Sequence, residues 1–326
     1  MGFALSVLIL VGLGASAAAG LALADRYFGV EEDPRLDALS DALPNANCGG
    51  CGYPGCRAYA QALLAGEDIT LCAPGGNASV QRIAEILGTE AVAVVERVAI
   101  VKCAGTAAVT SNRAKYLGIT DCAAANLVAG GPAECPDGCL GLGSCIAACE
   151  YDAIEIRNGV AVILPERCIG DGLCVKACPR HLIELVPKDR KVHVLCSNHQ
   201  PGKEVRKICS VGCTGCKLCT KTSSSFTMDG DLAILGDEVD ERAAEAALVC
   251  PTGTILDQNM FSARELVFDP EARRRLKERQ AEYKKQQREA KKKAAAAKKA
   301  AEAKKAVETN EPADDADHKD EQKVTS

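Results

Sequence analysis

The 326-residue sequence predicts an α+β fold made of several small domains, and three observations lead to this prediction. Nineteen cysteines stand against an aromatic content of 3% and no tryptophan, so large rings cannot supply most of the core. Closely spaced cysteines recur along the chain, and the later groups are followed by short stretches with β propensity. The composition, 47% hydrophobic and 25% charged, is that of a globular protein and excludes a disordered or collagen-like chain.

The first element is an uncharged, apolar stretch from Met1 to Ala24. At about 1.5 Å per residue, a helix of this length reaches roughly 36 Å and exceeds a hydrocarbon core of about 30 Å. We therefore expect a transmembrane helix over residues 1–26. A cleaved signal peptide is the alternative, because Ala22-Leu23-Ala24 resembles a cleavage site, but no Lys or Arg precedes the apolar stretch.

The next element is a group of four cysteines, three of them in a run rich in glycine. Glycines around Cys48, Cys51 and Cys56 permit sharp turns and leave backbone amides free to donate to cluster sulfides. Cys72 supplies a fourth thiolate, so we predict a [4Fe–4S] cluster held by these four residues. A structural zinc site is the alternative, although intervals of 3, 5 and 16 residues differ from those of common zinc modules.

Further along, the sequence resembles the bacterial ferredoxin motif, in which three close cysteines bind one cluster and a fourth crosses to another. Four copies align on that fourth position, which is occupied by Cys149, Cys178, Ser223 and Cys250. The Asn158-Gly159 pair after the first copy is a strong hairpin turn signal. Two consecutive ferredoxin modules follow from this repeat.

Because the fourth cysteine of each motif binds the other cluster, the ligands of the second cluster can be assigned. This is the first of the clusters in the ferredoxin modules. The predicted ligands are Cys135, Cys139, Cys145 and Cys178. Cys135 replaces the cysteine expected at the position of Leu142.

The third cluster is predicted to have one oxygen ligand. Its ligands would be Cys149, Cys168, Asp171 and Cys174, with the aspartate at a position where a cysteine is expected. An oxygen ligand holds iron less firmly than a thiolate does, so the site should carry an aspartate-ligated [4Fe–4S] or a [3Fe–4S] cluster.

The fourth cluster has a complete set of predicted ligands, Cys213, Cys216, Cys219 and Cys250. Its partner set would need cysteines at four positions that carry Ser223, Asp240, Ala243 and Ala246. Because one set is whole and the other is empty, the second module is predicted to bind a single cluster.

Four cysteines remain outside these sets, namely Cys103, Cys122, Cys196 and Cys209. Buried free thiols behave as small hydrophobic groups, and this is the expected role. A further metal site made from all four is the alternative. Dense free thiolates indicate a reducing compartment, so the cysteine-rich part is expected on the cytoplasmic side.

The order of these elements resembles the B subunit of the Rnf ion-translocating electron-transport complex, from the first stretch to about Leu256. The motifs that carry the resemblance are Cys48-Gly49-Gly50-Cys51-Gly52-Tyr53-Pro54-Gly55-Cys56, Gly138-Cys139-Leu140-Gly141-Leu142-Gly143-Ser144-Cys145 and Cys209-Ser210-Val211-Gly212-Cys213-Thr214-Gly215-Cys216. The resemblance implies an electron relay within a membrane complex that couples electron transfer between ferredoxin and NAD to Na⁺ or H⁺ translocation. It implies [4Fe–4S] cofactors, other complex subunits and soluble ferredoxin as partners, and a single-pass location in the inner cell membrane.

The translocase activity would belong to the complex, and no catalysis on an organic substrate is expected on this chain. No nucleotide-binding glycine loop or acid–base set is apparent, and no nucleic-acid partner is expected. One alternative is a membrane-tethered polyferredoxin that serves another reductase or a corrinoid system, because the Cys48-to-Cys72 block is similar to a domain of corrinoid iron–sulfur proteins. Another is a zinc-stabilised scaffold without a redox role.

The last element is a basic tail. Residues 271–305 hold 15 Lys or Arg against 5 Glu, a net charge of +10, which leaves −15 for the rest of a chain whose total is −5. A solvated, partly helical arm is expected, with an anionic membrane surface or an acidic partner as the alternative. The predicted segments are a transmembrane anchor (1–26), a small helical [4Fe–4S] domain (31–90), a connecting segment (91–132), a first ferredoxin module (133–187), a connecting insert (188–208), a second ferredoxin module with one cluster lost (209–260) and a tail (261–326) that is basic and helical, then acidic and disordered.

Overall fold

The computed structural model describes residues 2–28 and 33–308, and the chain forms two compact units. The first unit is Met1–Val98 with Ile169–Leu173, and the second is Ala99–Cys168 with Cys174–Ser326. The helices of the described residues are α1 (Gly2–Phe28), α2 (Arg35–Ala42), α3 (Cys56–Leu64), α4 (Gly76–Leu87), α5 (Cys122–Leu127), α6 (Ser144–Ala147), α7 (Leu173–Ala177), α8 (Gly202–Ile208), α9 (Leu218–Thr222), α10 (Glu245–Val249), α11 (Ala263–Phe268) and α12 (Pro270–Glu308). The strands are β1 (Arg97–Val101), β2 (Ile154–Arg157), β3 (Val160–Ile163), β4 (Ile183–Pro187), β5 (Val192–Val194), β6 (Phe226–Asp229), β7 (Leu232–Leu235) and β8 (Ile255–Asp257). The mixed helix and strand content agrees with the predicted α+β class.

Helix α1 occupies the predicted anchor, but the prediction of a transmembrane helix over residues 1–26 is wrong. Within residues 2–28 and 33–308, no helix combines the length and the apolar character needed to cross a membrane. The prediction relied on the absence of charge, whereas every residue from Gly14 to Gly20 is glycine, alanine or serine. A stretch without charge is therefore not equivalent to a sustained run of large apolar side chains.

The first unit has a small core where α2, α3 and α4 meet. Leu36 and Leu39 of α2, Tyr59 and Leu63 of α3, and Ile83 of α4 are all buried there. Their spacing places the apolar side chains of each helix on one face. The cysteine-rich loop joins α2 to α3, and Cys72 precedes α4, so the helices fix both ends of this loop.

Paired strands are the framework of the second unit. Strands β2 and β3 form an antiparallel hairpin closed by Asn158-Gly159, where both residues have positive φ (50° and 79°), as the sequence predicts. Strands β6 and β7 form a second antiparallel hairpin. The other two pairs, β1 with β4 and β5 with β8, join strands that are far apart in sequence. One hairpin and one long-range pair therefore occur twice among the described residues, and the division into two tandem modules stays a prediction.

The long-range pairs include strands from the segments that the sequence assigned to connections. Strand β1 lies within residues 91–132, and β5 lies within residues 188–208. Buried apolar side chains of β1 and β4 pack with the first hairpin, and those of β5 and β8 pack with the second. Each module therefore contains a strand that precedes its cysteines.

The tail forms the long helix α12, and its first turns are partly buried. Ala272, Leu276 and Gln280, spaced by four residues, are buried, and the helix packs against α10 and α11. The sequence analysis missed this contact because the buried stripe has only three positions and one of them is polar. The predicted disordered end runs from Glu308 to Ser326; Glu308 is the last residue of α12, and the rest of this segment lies outside the described residues.

Candidate iron–sulfur centres

The first unit contains a cavity of about 320 Å³ between the four cysteines predicted for the first cluster. The residues that line it include Cys48, Cys51, Cys56 and Cys72, together with Asn47, Gly49, Gly55, Tyr59 and Pro74. The Asn47 side chain shapes the loop, because its Oδ1 accepts a hydrogen bond from the Cys56 amide at 2.9 Å. Gly55 leaves space for this side chain, since a Cβ at this position would stand 2.9 Å from the same oxygen.

Backbone amides approach the sulfur atoms of this site. Burial raises the pKa of the Cys72 thiol, while a hydrogen bond from the Gly75 amide acts in the opposite direction. A Cβ at Gly75 would stand 2.6 Å from Ser79 Cβ and 3.1 Å from Cys72 Sγ, so glycine fits between these two side chains. Amide donors favour the thiolate that a cluster needs, and the donor set therefore fits an iron–sulfur group.

The second unit contains a cavity of about 370 Å³ lined by four cysteines, three of which were predicted together. Its cysteines are Cys122, Cys139, Cys145 and Cys178. The structure thus brings together Cys139, Cys145 and the crossing Cys178. The fourth cysteine at this cavity is Cys122, which the sequence analysis left outside every set.

Polar contacts hold Cys122 at this cavity. The Cys122 amide donates to Ser144 Oγ at 2.7 Å, and that hydroxyl donates to Asp121 Oδ2 at 2.7 Å. Asp121 also caps α5 by accepting from the Ala124 amide at 2.7 Å. Burial, with added repulsion from Cys139, Cys122 and Cys178, raises the pKa of Cys145 to about 12.

Cys135, the predicted fourth ligand of this set, lines a different cavity. That cavity has a volume of about 540 Å³, and Cys139 and Cys209 also line it. The assignment of Cys135 to the second cluster stays a prediction.

Arg180 is a half-buried cation beside the second set, and the sequence did not predict its role there. It lines the cavity of Cys122 and Cys178. Its guanidinium donates to the carbonyl oxygens of Gly130, Cys135 and Gly138 and to the side chain of Asn126. The sequence feature that could have indicated this role is the position of Arg180 directly after Cys178-Pro179, where a cation would face an anionic site.

The third predicted set includes residues of both units. In the second unit, the Ala99 amide donates to Cys168 Sγ at 3.3 Å, and Cys174 is buried. In the first unit, Asp171 packs at Gly50, where a Cβ would stand 3.0 Å from the Asp171 carbonyl oxygen. Asp171 Oδ1 accepts from the Leu173 amide at 3.2 Å, whereas its buried Oδ2 has no hydrogen-bond partner among the described residues. The joint role of these residues stays a prediction.

The fourth predicted set surrounds one cavity of about 360 Å³ in the second unit. Cys213, Cys216, Cys219 and Cys250 all line it, with Val194, Met228 and Ile255 among the apolar walls. Burial raises the pKa of Cys219 to about 11, with further repulsion from Cys213, Cys250 and Cys216. The structure therefore brings Cys250 to the other three, although 31 residues separate it from Cys219.

The positions of the missing partner set are filled by protein. Ala243 and Ala246 are completely buried in the core of the second module. Hydrogen bonds from the hydroxyls of Ser223 and Ser224 hold the pKa of Asp240 below its usual value. Alanine packing and a serine–aspartate network thus occupy this half of the module.

None of these sites has the compactness of a single-ion site. Among residues 2–28 and 33–308, no three cysteine, histidine or carboxylate side chains lie close enough to hold one metal ion. The four cysteines of each complete set instead line a common cavity, which is the arrangement expected of ligands that share one cluster.

Two parts of the chain match known iron–sulfur families. Residues 43–74 match the family described as "Putative Fe-S cluster", and this range includes all four cysteines of the first cavity. Residues 161–184 match the family described as "4Fe-4S binding domain", and this range includes Cys168, Cys174 and Cys178.

Three similar proteins carry related names. The B subunit of the proton-translocating ferredoxin:NAD(+) oxidoreductase complex of Clostridium ljungdahlii is 39% identical over 242 residues, 72% of this chain and 85% of that protein. The B subunit of the Na(+)-translocating ferredoxin:NAD(+) oxidoreductase complex of Acetobacterium woodii is 40% identical over 196 residues, 60% of this chain and 59% of that protein. The B subunit of an ion-translocating oxidoreductase complex of Methanosarcina acetivorans is 34% identical over 254 residues, 77% of this chain and 96% of that protein.

Proposed function

Because the chain belongs to the family of B subunits of ion-translocating oxidoreductase complexes, we propose that it relays electrons in a membrane complex that couples ferredoxin:NAD oxidoreduction to ion translocation. The names of two relatives, both from ferredoxin:NAD(+) oxidoreductase complexes, support this role. The transported ion differs between those names, a proton in one and Na⁺ in the other. The oxidoreductase activity belongs to the complex, with its other subunits and soluble ferredoxin as partners.

The observation that carries this proposal is the lining of three separate cavities by four cysteines each. When bound, an iron–sulfur cluster at such a site accepts and releases one electron at a time. The thiolates of this chain would hold the group, and the neighbouring amides would favour the anionic form of the sulfur ligands. Apolar side chains such as Val194 and Ile255 exclude water and lower the local dielectric.

The ligand assignments that we propose follow the cavities. The first and fourth clusters keep their predicted ligands, while at the second cluster we propose Cys122 in place of Cys135, beside Cys139, Cys145 and Cys178. The third cluster keeps Cys149, Cys168, Asp171 and Cys174 as its proposed ligands. We place the cysteine-rich part on the cytoplasmic side, because free thiolates and their clusters need a reducing compartment.

The experiment uses inverted membrane vesicles from source cells that lack this chain, after the full chain has been restored as wild type or variant. Vesicles with the wild-type chain should reduce NAD⁺ with reduced ferredoxin and take up ions. Cys216→Ala, which removes a thiol from the fourth cavity at an exposed position, should abolish both activities. Gln286→Ala, at an exposed site on α12, should leave both unchanged. Full activity in vesicles without the chain would refute the proposal.

A further inference from the structure

We infer that Cys103, Cys135, Cys196 and Cys209 together hold a fifth iron–sulfur cluster in the second unit. With Cys122 at the second cavity, these are the cysteines that the other four sets leave over. The inference concerns which side chains hold metal, and it does not depend on the electron-relay role.

Asn198 connects two members of this group. It is almost completely buried, and its side-chain amide donates to Cys135 Sγ at 3.2 Å. Its backbone amide donates to the sulfur of Cys196. One buried residue therefore donates hydrogen bonds to the sulfur atoms of both Cys135 and Cys196, so these two sulfur atoms lie near each other.

Thr110 and Gly105 connect the other two members. Thr110 pairs with Cys209 in an isolated antiparallel bridge. Thr110 also lies next to Gly105, because its methyl carbon would be 3.6 Å from a Cβ placed on Gly105. The Gly105 amide in turn donates to Cys103 Sγ at 3.4 Å. Gly105, Thr110, Cys135 and Cys209 line the same cavity of about 540 Å³, so the two connections meet at one place.

Each of the four sulfur atoms accepts two N–H hydrogen bonds, which is the environment of a thiolate. The donors are the amides of Gly105 and Cys139 to Cys103, the Asp137 amide and the Asn198 side chain to Cys135, the amides of Asn198 and Cys213 to Cys196, and the amides of Val211 and Gly212 to Cys209. A neutral thiol that only fills space needs no such donors, whereas donors to sulfur favour the anionic form and tune clusters.

The four thiols also influence one another electrostatically. Burial raises the pKa of Cys103 to about 12, and the charge of Cys135 contributes to the increase. Burial raises the pKa of Cys196 to about 11, with a contribution from Cys209, which also raises that of Cys135.

Arg273 supplies an independent sign of a missing anion. Its Nη2 atom is buried without a hydrogen-bond partner among the described residues. Burial lowers the pKa of Arg273, and the charge of Cys209 acts against that decrease. A buried guanidinium nitrogen without a hydrogen-bond acceptor is costly, and a cluster held by four thiolates carries net negative charge. The guanidinium is therefore placed to offset the charge of a group bound at Cys209.

An iron–sulfur cluster fits this group better than zinc does. Zinc binds sulfur at about 2.3 Å and needs four thiolates close together. Here Cys135 and Cys209 line one cavity, and no three ligand side chains among the described residues approach within single-ion range. With this site, all 19 cysteines have a ligand role, since the five sets take 4, 4, 3, 4 and 4 of them.

Total iron is the first test, and it needs no variant. Full-length protein reconstituted without oxygen should hold about 19–20 iron atoms per chain, because four sets take four irons each and the Asp171 set takes three or four. About 15–16 iron atoms would overturn the inference. One zinc ion per chain beside that lower iron content would overturn the choice of cluster.

Paired substitutions test whether the four thiols serve one site. Cys103→Ala and Cys196→Ala should each lower the iron content by up to one cluster, about four irons, and the double variant should lose no more than that. Cys196→Ala combined with Cys216→Ala should lose about two clusters. The matched control is Ser197, which lies beside Cys196 and whose hydroxyl donates to the Lys102 carbonyl. Ser197→Ala should keep all iron. Full iron in Cys196→Ala, or additive losses in the first double variant, would refute the shared site.

Discussion

The side-chain amide of Gln280 donates to the carbonyl oxygen of Cys250 at 2.7 Å and to that of Ala247 at 2.8 Å. These carbonyls lie at the C-terminal end of α10, where a helix leaves its last carbonyls without internal partners. The tail helix thus caps α10 at the point where the chain delivers Cys250 to the fourth cavity.

Replacement of Gln280 should destabilise the second unit. Gln280→Ala would remove both hydrogen bonds and leave the Cys250 carbonyl with only the long bond from the Gly253 amide at 3.3 Å, which should lower the free energy of unfolding by about 2 kcal/mol. Gln286→Ala makes the same change at an exposed position of the same helix and should stay within about 0.5 kcal/mol of wild type. Denaturant unfolding of the cluster-loaded protein, followed by circular dichroism, measures both. Equal effects of the two substitutions would show that the contact does not stabilise the unit.

Loss of Cys250 should cost the fourth cluster. Cys250→Ala removes one of four thiols around the cavity, so the protein should lose about one cluster of iron or retain a labile three-iron form. Ser223→Ala alters the half of the module that alanines fill and should keep its iron. Iron and sulfide analysis distinguishes these results. Full iron in Cys250→Ala would contradict the crossed assignment.

Asp171 should make the third cluster sensitive to oxidation. Its Oδ2 is buried without a partner among the described residues, and a carboxylate holds iron less firmly than a thiolate does. Graded oxidation of wild-type protein should give a paramagnetic [3Fe–4S] signal, and Asp171→Cys should suppress that signal. If wild type gives no signal and the variant behaves identically, Asp171 is not an iron ligand.

Acid should weaken the second unit through His193. Burial lowers the pKa of His193 to about 4, the charges of Arg190 and Lys191 lower it further, and hydrogen bonds to the Arg190 carbonyl and the Gln258 side chain oppose the decrease. An unfolded histidine has a pKa of about 6.5, so between pH 6.5 and 4 the unfolded chain binds a proton that the folded chain does not. The contribution of His193 to stability is therefore complete above pH 6.5 and is lost progressively as the pH falls toward 4.

The matched variant for this effect is His193→Gln, which cannot gain that proton. The free energy of unfolding, measured without oxygen at pH 7.5 and at pH 5.5, should fall more in wild type than in His193→Gln. Equal decreases in the two proteins would assign the acid sensitivity to other groups.

The sequence predicts a ligand set best when its members are close together or aligned by the repeat. The cysteines of the first set lie within 25 residues, and the repeat aligns Cys250 with Cys178 although each is distant from its partners. Cys122 has neither property, because it lies 17 residues before Cys139 on a separate helix. Its position depends on the contact between Asp121 and Ser144, which only the folded chain reveals.

The packing of α12 eluded prediction for a related reason. A buried stripe that ends in Gln280 looks polar in sequence, and its hydrogen-bond acceptors lie 30 or more residues earlier in the chain. The uncharged N-terminal stretch led to the opposite error, a membrane-spanning helix that the structure does not support. Its glycine, alanine and serine residues carry no charge, but they do not supply large apolar side chains.

The alanine-filled half of the second module bears on the order in which the protein matures. Ala243 and Ala246 complete that half with side chains alone, so newly synthesised chain can close it before any iron arrives. Binding of a cluster at Cys213, Cys216, Cys219 and Cys250 therefore does not require a second cluster in the alanine-filled half of the module.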